Sequence, residues 1–213
     1  MNIERSFKYM FEDEDWLQKL LIGGLVSIVP IVNFAAIGWG IRAFKNITEG
    51  QETPLPDWSN FGEYFVKGLM TFLAALVYSL PIIILSCLAG LIDGAVARNS
   101  YESTGIFSLC TGLVSTLYGL VIGVLLPAGL TKYVVTDEFA SFFRFGEMFS
   151  YIKDNLSNYA IAVIISAIAG ILASLVGGLV CGVGIILTAP WATLVTSHLF
   201  AQVYNESNKP AVA

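Results

Sequence analysis

The side chains able to do chemistry in this sequence are few, and most stand alone inside apolar runs. His198 is the single histidine. An imidazole there can relay protons or hold a ligand, and it can equally sit as a hydrogen-bonded interfacial group beside Gln202. Asn33 falls in the middle of an uncharged run, where an amide must find a hydrogen-bond partner. At a broken helix such an amide lines a substrate site; elsewhere it ties helices together. With Thr188 and Thr193 these residues form the candidate intramembrane polar site: Asn33, Thr188, Thr193 and His198. Glu63 and Glu147 occupy matching places in two Phe-Gly-Glu segments, which invites reading them as paired carboxylates. Lys67, four residues after Glu63, favours ordinary helix support instead.

The other chemistries have no footing. There is no G-x-S-x-G, H-E-x-x-H, P-loop or dinucleotide fingerprint, so no catalytic residue is assigned and no cofactor is expected. Cys87, Cys110 and Cys181 sit in apolar runs without a C-x-x-C or His/Cys cluster, which leaves them as small hydrophobes rather than metal ligands. A net charge of −5 gives no basic footprint for nucleic acid.

The elements that must position these residues follow from composition. The chain is 56% hydrophobic and 13% charged, against about 25% charged in soluble domains. That deviation points to an all-α, polytopic membrane bundle. Uncharged runs place about five spans, near residues 20–41, 69–92, 109–131, 159–180 and 185–204. An interfacial segment, 1–19, precedes them, with Ile3, Phe7, Met10 and Phe11 at helical spacing and acids at 12–15 that charge the start of the next helix. A polar tail, 205–213, follows. Two arms separate the spans. The first, 42–67, is broken by Pro54 and Pro56 and lets Asp57 or Ser59 cap the next helix. The second, 132–154, carries an aromatic stripe of Phe139, Phe142, Phe143, Phe145 and Phe149, the pattern of a helix lying in the interface.

The two copies of Phe-Gly-Glu, at 61–63 and 145–147, each follow an arm and lead into an apolar run, which reads as a weak internal repeat. Equivalent spans then run parallel, with both arms cytoplasmic, and seven Lys and Arg fall on the arm side against four on the other. A second topology is sharper on charge. If the first run is a re-entrant hairpin broken at Pro30–Asn33, the count becomes ten against one. Rows of small residues, Ser115–Gly119–Gly123 on the third span and Gly170–Ser174–Gly178–Gly182 on the fourth, are candidates for close helix packing, within one chain or between chains. Gly182-Val183-Gly184 is the expected turn between spans four and five.

Asp15-Trp16-Leu17, Lys19 to Gly24, Pro30, Gly38-Trp39-Gly40 before Arg42, and Leu55-Pro56-Asp57-Trp58 ahead of Gly68-Leu69 resemble one prokaryotic membrane family, the domain of unknown function 4013. The resemblance is strongest over residues 13–92. It implies a multi-pass protein of a bacterial or archaeal cytoplasmic membrane and implies no activity. The expected function is that of a non-enzymatic scaffold or complex subunit, with a small transporter as the alternative and a lipid-acting enzyme third. The expected partners are membrane lipids and other membrane subunits or a second copy.

Overall fold

The computed structural model describes residues 1–99, 106–179 and 182–208, and the described residues form helices joined by turns and loops, without strands. Helices α1 (Ile3–Lys8) and α2 (Trp16–Ile28) are joined by a 3-10 turn at Tyr9–Glu12; α3 (Phe34–Thr48) and α4 (Phe61–Asn99) follow. Then come α5 (Ile106–Thr136), a 3-10 turn at Phe139–Phe143, α6 (Phe145–Asp154), α7 (Leu156–Leu179) and α8 (Ile185–Ser207). Cys181, the Val180 end of the expected fourth span and the tail from 209 lie outside the described residues.

Three helices, α4, α5 and α7, are long and apolar enough to cross a membrane. At most 22% of their most apolar windows is buried in the protein, so their apolar faces need another apolar surface around them.

The first uncharged run, expected as one span over 20–41, is instead two helices. Pro30 is the cause. The residue before a proline is driven out of the helical region, and Val29 adopts ψ 116. Ile31 then turns the chain with φ 72, a region that β-branched residues rarely occupy. Asn33 N–H returns to the Val29 carbonyl at 3.0 Å, and α3 starts in the opposite direction. A turn at Gly182–Gly184, with Gly182 at φ +83, leads into α8. The chain is therefore organised as helical hairpins: α2/α3, α4/α5 and α7/α8.

The two Phe-Gly-Glu segments are built differently. The first opens α4 without a break, after Asp57 has accepted hydrogen bonds from the Ser59 amide and hydroxyl, which hold the Asp57 carboxyl below the usual carboxylate range. The second forms the separate helix α6, which ends at Asn155. Glu63 pairs with Lys67 at 3.5 Å, and Glu147 with Lys132 at 3.7 Å and Arg144 at 3.9 Å, so the two carboxylates serve different ion pairs. Within the aromatic stripe Phe142 is fully buried against Tyr133, while Phe149 stays exposed.

The packing centre is α8. Its Leu194, Val195, Leu199, Phe200, Ala201 and Val203 are all buried, and it contacts α1, α2, α3, α5 and α7. Its polar residues find partners within the protein. Ser197 donates to the Gly40 carbonyl at 3.0 Å, and Asn205 to the Ile47 carbonyl at 3.1 Å.

Close approach in this bundle runs through glycines other than those in the two small-residue rows. A Cβ on Gly38 would sit 1.7 Å from the Tyr64 carbonyl oxygen, and one on Gly68 would sit 1.7 Å from that of Phe34. The two contacts are reciprocal across α3 and α4. On α2, a Gly24 Cβ would lie 1.8 Å from the Ile186 oxygen. Pro190, four residues later, has no N–H to offer that carbonyl. By contrast Gly119, Gly123, Gly170, Gly178 and Gly182 meet nothing within 4 Å, and α7 approaches α8 through Gly177. Ser115 and Gly119 instead border a hollow against α4, and Gly170 and Ser174 one against α8, so these rows lie beside neighbouring helices without close contact.

These contacts sort the glycines by sensitivity. Gly38→Ala should force α3 and α4 apart and cost about 1–3 kcal/mol, in the range of overpacked cores, read as a drop of several degrees in the unfolding temperature in detergent. Gly119→Ala and Gly178→Ala should leave it within about a degree. Equal losses at all three positions would show that the α3/α4 approach is not special.

Candidate functional site

The four candidate polar residues do not converge. Asn33 and Thr193 line one cleft of about 310 Å3 with Gly23, Ser27, Trp39 and Pro190. Thr188 instead lines apolar hollows beside Trp191 and Ala173. His198 lines a third cleft, of about 390 Å3, with Asn2, Arg5, Glu12, Gln51, Gln202 and Asn205. The two threonines are satisfied on their own helix: Thr188 donates to the Gly184 carbonyl at 3.1 Å and Thr193 to that of Ala189 at 3.0 Å. Asn33 differs, because its Oδ1 is buried with no hydrogen-bond partner among the described residues.

The His198 cleft is the most elaborated polar feature. Three stretches distant in sequence build it. From α1 and the turn after it come Asn2, Ser6 and Tyr9, one helical face; from α8 come His198, Gln202 and Asn205, at the same spacing. The turn after α3 supplies Gly50, at φ +74, with Gln51 and Glu52. His198 is only 6% exposed. Its ring stacks on Tyr9 with centroids 4.5 Å apart, and Tyr9 donates to the Leu194 carbonyl at 3.2 Å. Burial raises the Tyr9 hydroxyl far above its ordinary range, so it stays protonated.

The hydrogen bonds fix the histidine tautomer. Asn2 N–H donates to Gln202 Oε1 at 2.5 Å, and Gln202 Nε2 donates to the Asn2 carbonyl at 3.1 Å. That pair sets which way round the glutamine amide lies. Gln202 Nε2 then points at His198 Nδ1, 2.7 Å away, with Ser6 Oγ 2.9 Å from the same nitrogen. An amide nitrogen only donates, so Nδ1 accepts and the neutral ring carries its proton on Nε2. Nε2 has no partner among the described residues and is not among the fully buried unpartnered atoms.

Ion pairs close the same end of the molecule. The Met1 nitrogen pairs with Glu206, and Asn158 at the start of α7 donates to Glu206 at 2.7 Å. The first residues, the end of α3, the start of α7 and the end of α8 therefore meet in one place. Trp58 pins the first arm to the hairpin by stacking on Trp39 at 5.3 Å and donating to the Lys19 carbonyl at 3.0 Å. Asp13, rather than the acids around it, holds the start of α2, accepting from the Asp15 amide at 2.9 Å and Lys19 at 2.6 Å.

Comparison with known proteins gives one match, to the family described as Protein of unknown function (DUF4013), over residues 22–182. The chain belongs to this family. No curated protein and no solved structure matches it. The matched stretch contains the reciprocal glycine contacts of α3 and α4, Gly24 of α2 and the Trp39–Trp58 stack. It stops before α8, so His198 and the first residues that hold it lie beyond the family match.

The sequence pointed to His198 and Gln202 but not to Asn2, Ser6 or Tyr9. The signal was present as two polar rows at i, i+4 and i+7, one at each end of the chain. It was masked in the first by the apolar row Ile3, Phe7 and Met10.

The tautomer latch has a measurable consequence. Gln202→Leu removes both contacts to the Asn2 peptide and the donor to Nδ1, and should cost about 1–3 kcal/mol through the polar groups left unpaired. Limited proteolysis should then cut within residues 1–12 at least severalfold faster than in the unaltered protein. Unchanged protection would mean that the first residues are held by apolar packing alone.

Proposed function

We propose that the protein is a non-enzymatic, multi-pass membrane module, a scaffold or a subunit of a larger membrane complex. The observation that carries this reading is the scatter of its polar groups. A transport path needs polar side chains lining one continuous wet route. Here Asn33 and Thr193, Thr188, and His198 line separate hollows, and both threonines and the His198 Nδ1 are hydrogen-bonded locally. The loosely packed small-residue rows on α5 and α7 support the partner role, since small residues let another helix approach closely in lipid.

For orientation, the α2/α3 hairpin supports the re-entrant count. Among the described residues nine Lys and Arg fall at the open ends of the hairpins and one, Arg98, near the other end of α4. The positive-inside rule then puts the open ends, both arms and the first residues in the cytoplasm of a bacterial or archaeal cell. A transporter working at the broken first run remains the second reading, favoured by the unpartnered Asn33 Oδ1 alone.

Single cysteines in a cysteine-free background test the orientation. Lys8→Cys, Gln51→Cys and Glu138→Cys should all resist an impermeant reagent in intact cells and react after permeabilisation. Reaction of Lys8→Cys alone in intact cells would restore five full spans. For the function, the protein extracted in mild detergent should run larger than its 23.0 kDa chain, and cysteines placed at Ser115 or Ser174 should cross-link to a neighbour. A monomer without cross-links, with solute or proton flux in vesicles that Asn33→Ala abolishes, would establish the transporter.

A further inference from the structure

We propose that the cleft between α1, the Gly50–Pro54 turn and the end of α8 binds a small ligand that pairs one oxyanion with one ammonium group. The first reason is the donor it leaves unused. His198 lines the cleft though almost fully buried, its Nδ1 accepts from Gln202, and its Nε2–H has no protein partner among the described residues. A buried donor held in one tautomer by a second set of hydrogen bonds is oriented for an acceptor.

The second reason is charge. Arg5 lines the same cleft and meets Glu12 only loosely, at 3.8 Å, with both side chains well exposed. Its guanidinium can take the same oxyanion as the imidazole N–H. The ring itself is neutral in this tautomer, so the cation count is one. Glu12 and Glu52 line the cleft as well, giving two carboxylates against it. A plain anion would meet a net negative site. A ligand that carries an ammonium beside its oxyanion satisfies both signs.

The third reason is size and construction. About 390 Å3 lies at the small end of ligand sites, which run roughly 300–1,000 Å3. The walls are set by segments about 200 residues apart in sequence, tied together through Asn2 and Gln202. The oxyanion–ammonium pattern has two sources at a membrane surface: a free amino acid, with its carboxylate, and the phosphoethanolamine headgroup of a lipid. In either case a scaffold would gain a ligand-responsive joint between its first residues and its central helix.

Thermal unfolding in detergent separates these outcomes. Three probes are titrated: an equimolar mixture of the standard amino acids, glycerophosphoethanolamine, and glycerophosphoglycerol, which has the phosphate but no ammonium. The expected result is a saturable rise in unfolding temperature with one of the first two and none with the third. Arg5→Gln and Glu52→Gln, both at exposed side chains that leave the core untouched, should each weaken that response at least tenfold. A response to the amino acids names the soluble source; one to glycerophosphoethanolamine names the headgroup. No saturable response to any probe, an equal response to glycerophosphoglycerol, or a response unchanged in both variants would overturn the proposal.

Discussion

Backbone resting on glycine sets the geometry on which the rest of this bundle depends. In lipid there is no hydrophobic gain from bringing two apolar helices together, so they associate by close packing and by polar contacts. The reciprocal seats of the Phe34 carbonyl on Gly68 and the Tyr64 carbonyl on Gly38 lock α3 to α4 at backbone distance. The seat of Ile186 on Gly24 does the same for α2 and α8. That last contact uses a carbonyl whose helical donor Pro190 has removed. Weak Cα–H to carbonyl contacts of this sort are worth little one by one. Their effect is to fix separation, and separation decides which side chains can meet.

What they decide first is the course of the hairpin. With α2 lying against α8 and α3 against both α8 and α4, the chain between them must turn back. The Val29–Asn33 turn is strained at Ile31, yet its ends are held by neighbours on both sides. The turn itself lies at the protein surface, with Val29 and Ile31 exposed. The hairpin brings the first residues back to the end where α8 finishes, and so makes the His198 cleft. The glycine seats and the polar cleft are two results of the same fold-back.

This explains which parts were legible in the sequence. Helix and apolar runs follow from hydropathy, and breakers such as Pro54 and Pro56 mark the non-helical stretch between α3 and α4. Pro30 marked a break, but one proline inside an apolar run produces either a kink or a reversal, and only the neighbours choose. The glycines of closest contact, Gly24, Gly38 and Gly68, stand in the segments that resembled the family. Spacing alone favoured the rows on α5 and α7, because small residues at i, i+4 look alike whether or not a neighbouring helix closes on them.

Function is less legible for a related reason. In an enzyme the residue types themselves announce the chemistry, since a nucleophile needs its base nearby. Here the informative groups are common amides, a serine and one histidine, and their meaning lies in direction. Gln202 matters because the Asn2 peptide fixes which end of its amide meets the ring. That orientation fixes a proton on Nε2, and the proton fixes what the cleft can accept. Such a chain of consequences runs through atoms about 200 residues apart in sequence, and no spacing rule reaches across that distance. It becomes readable only when the fold has closed the first residues onto α8.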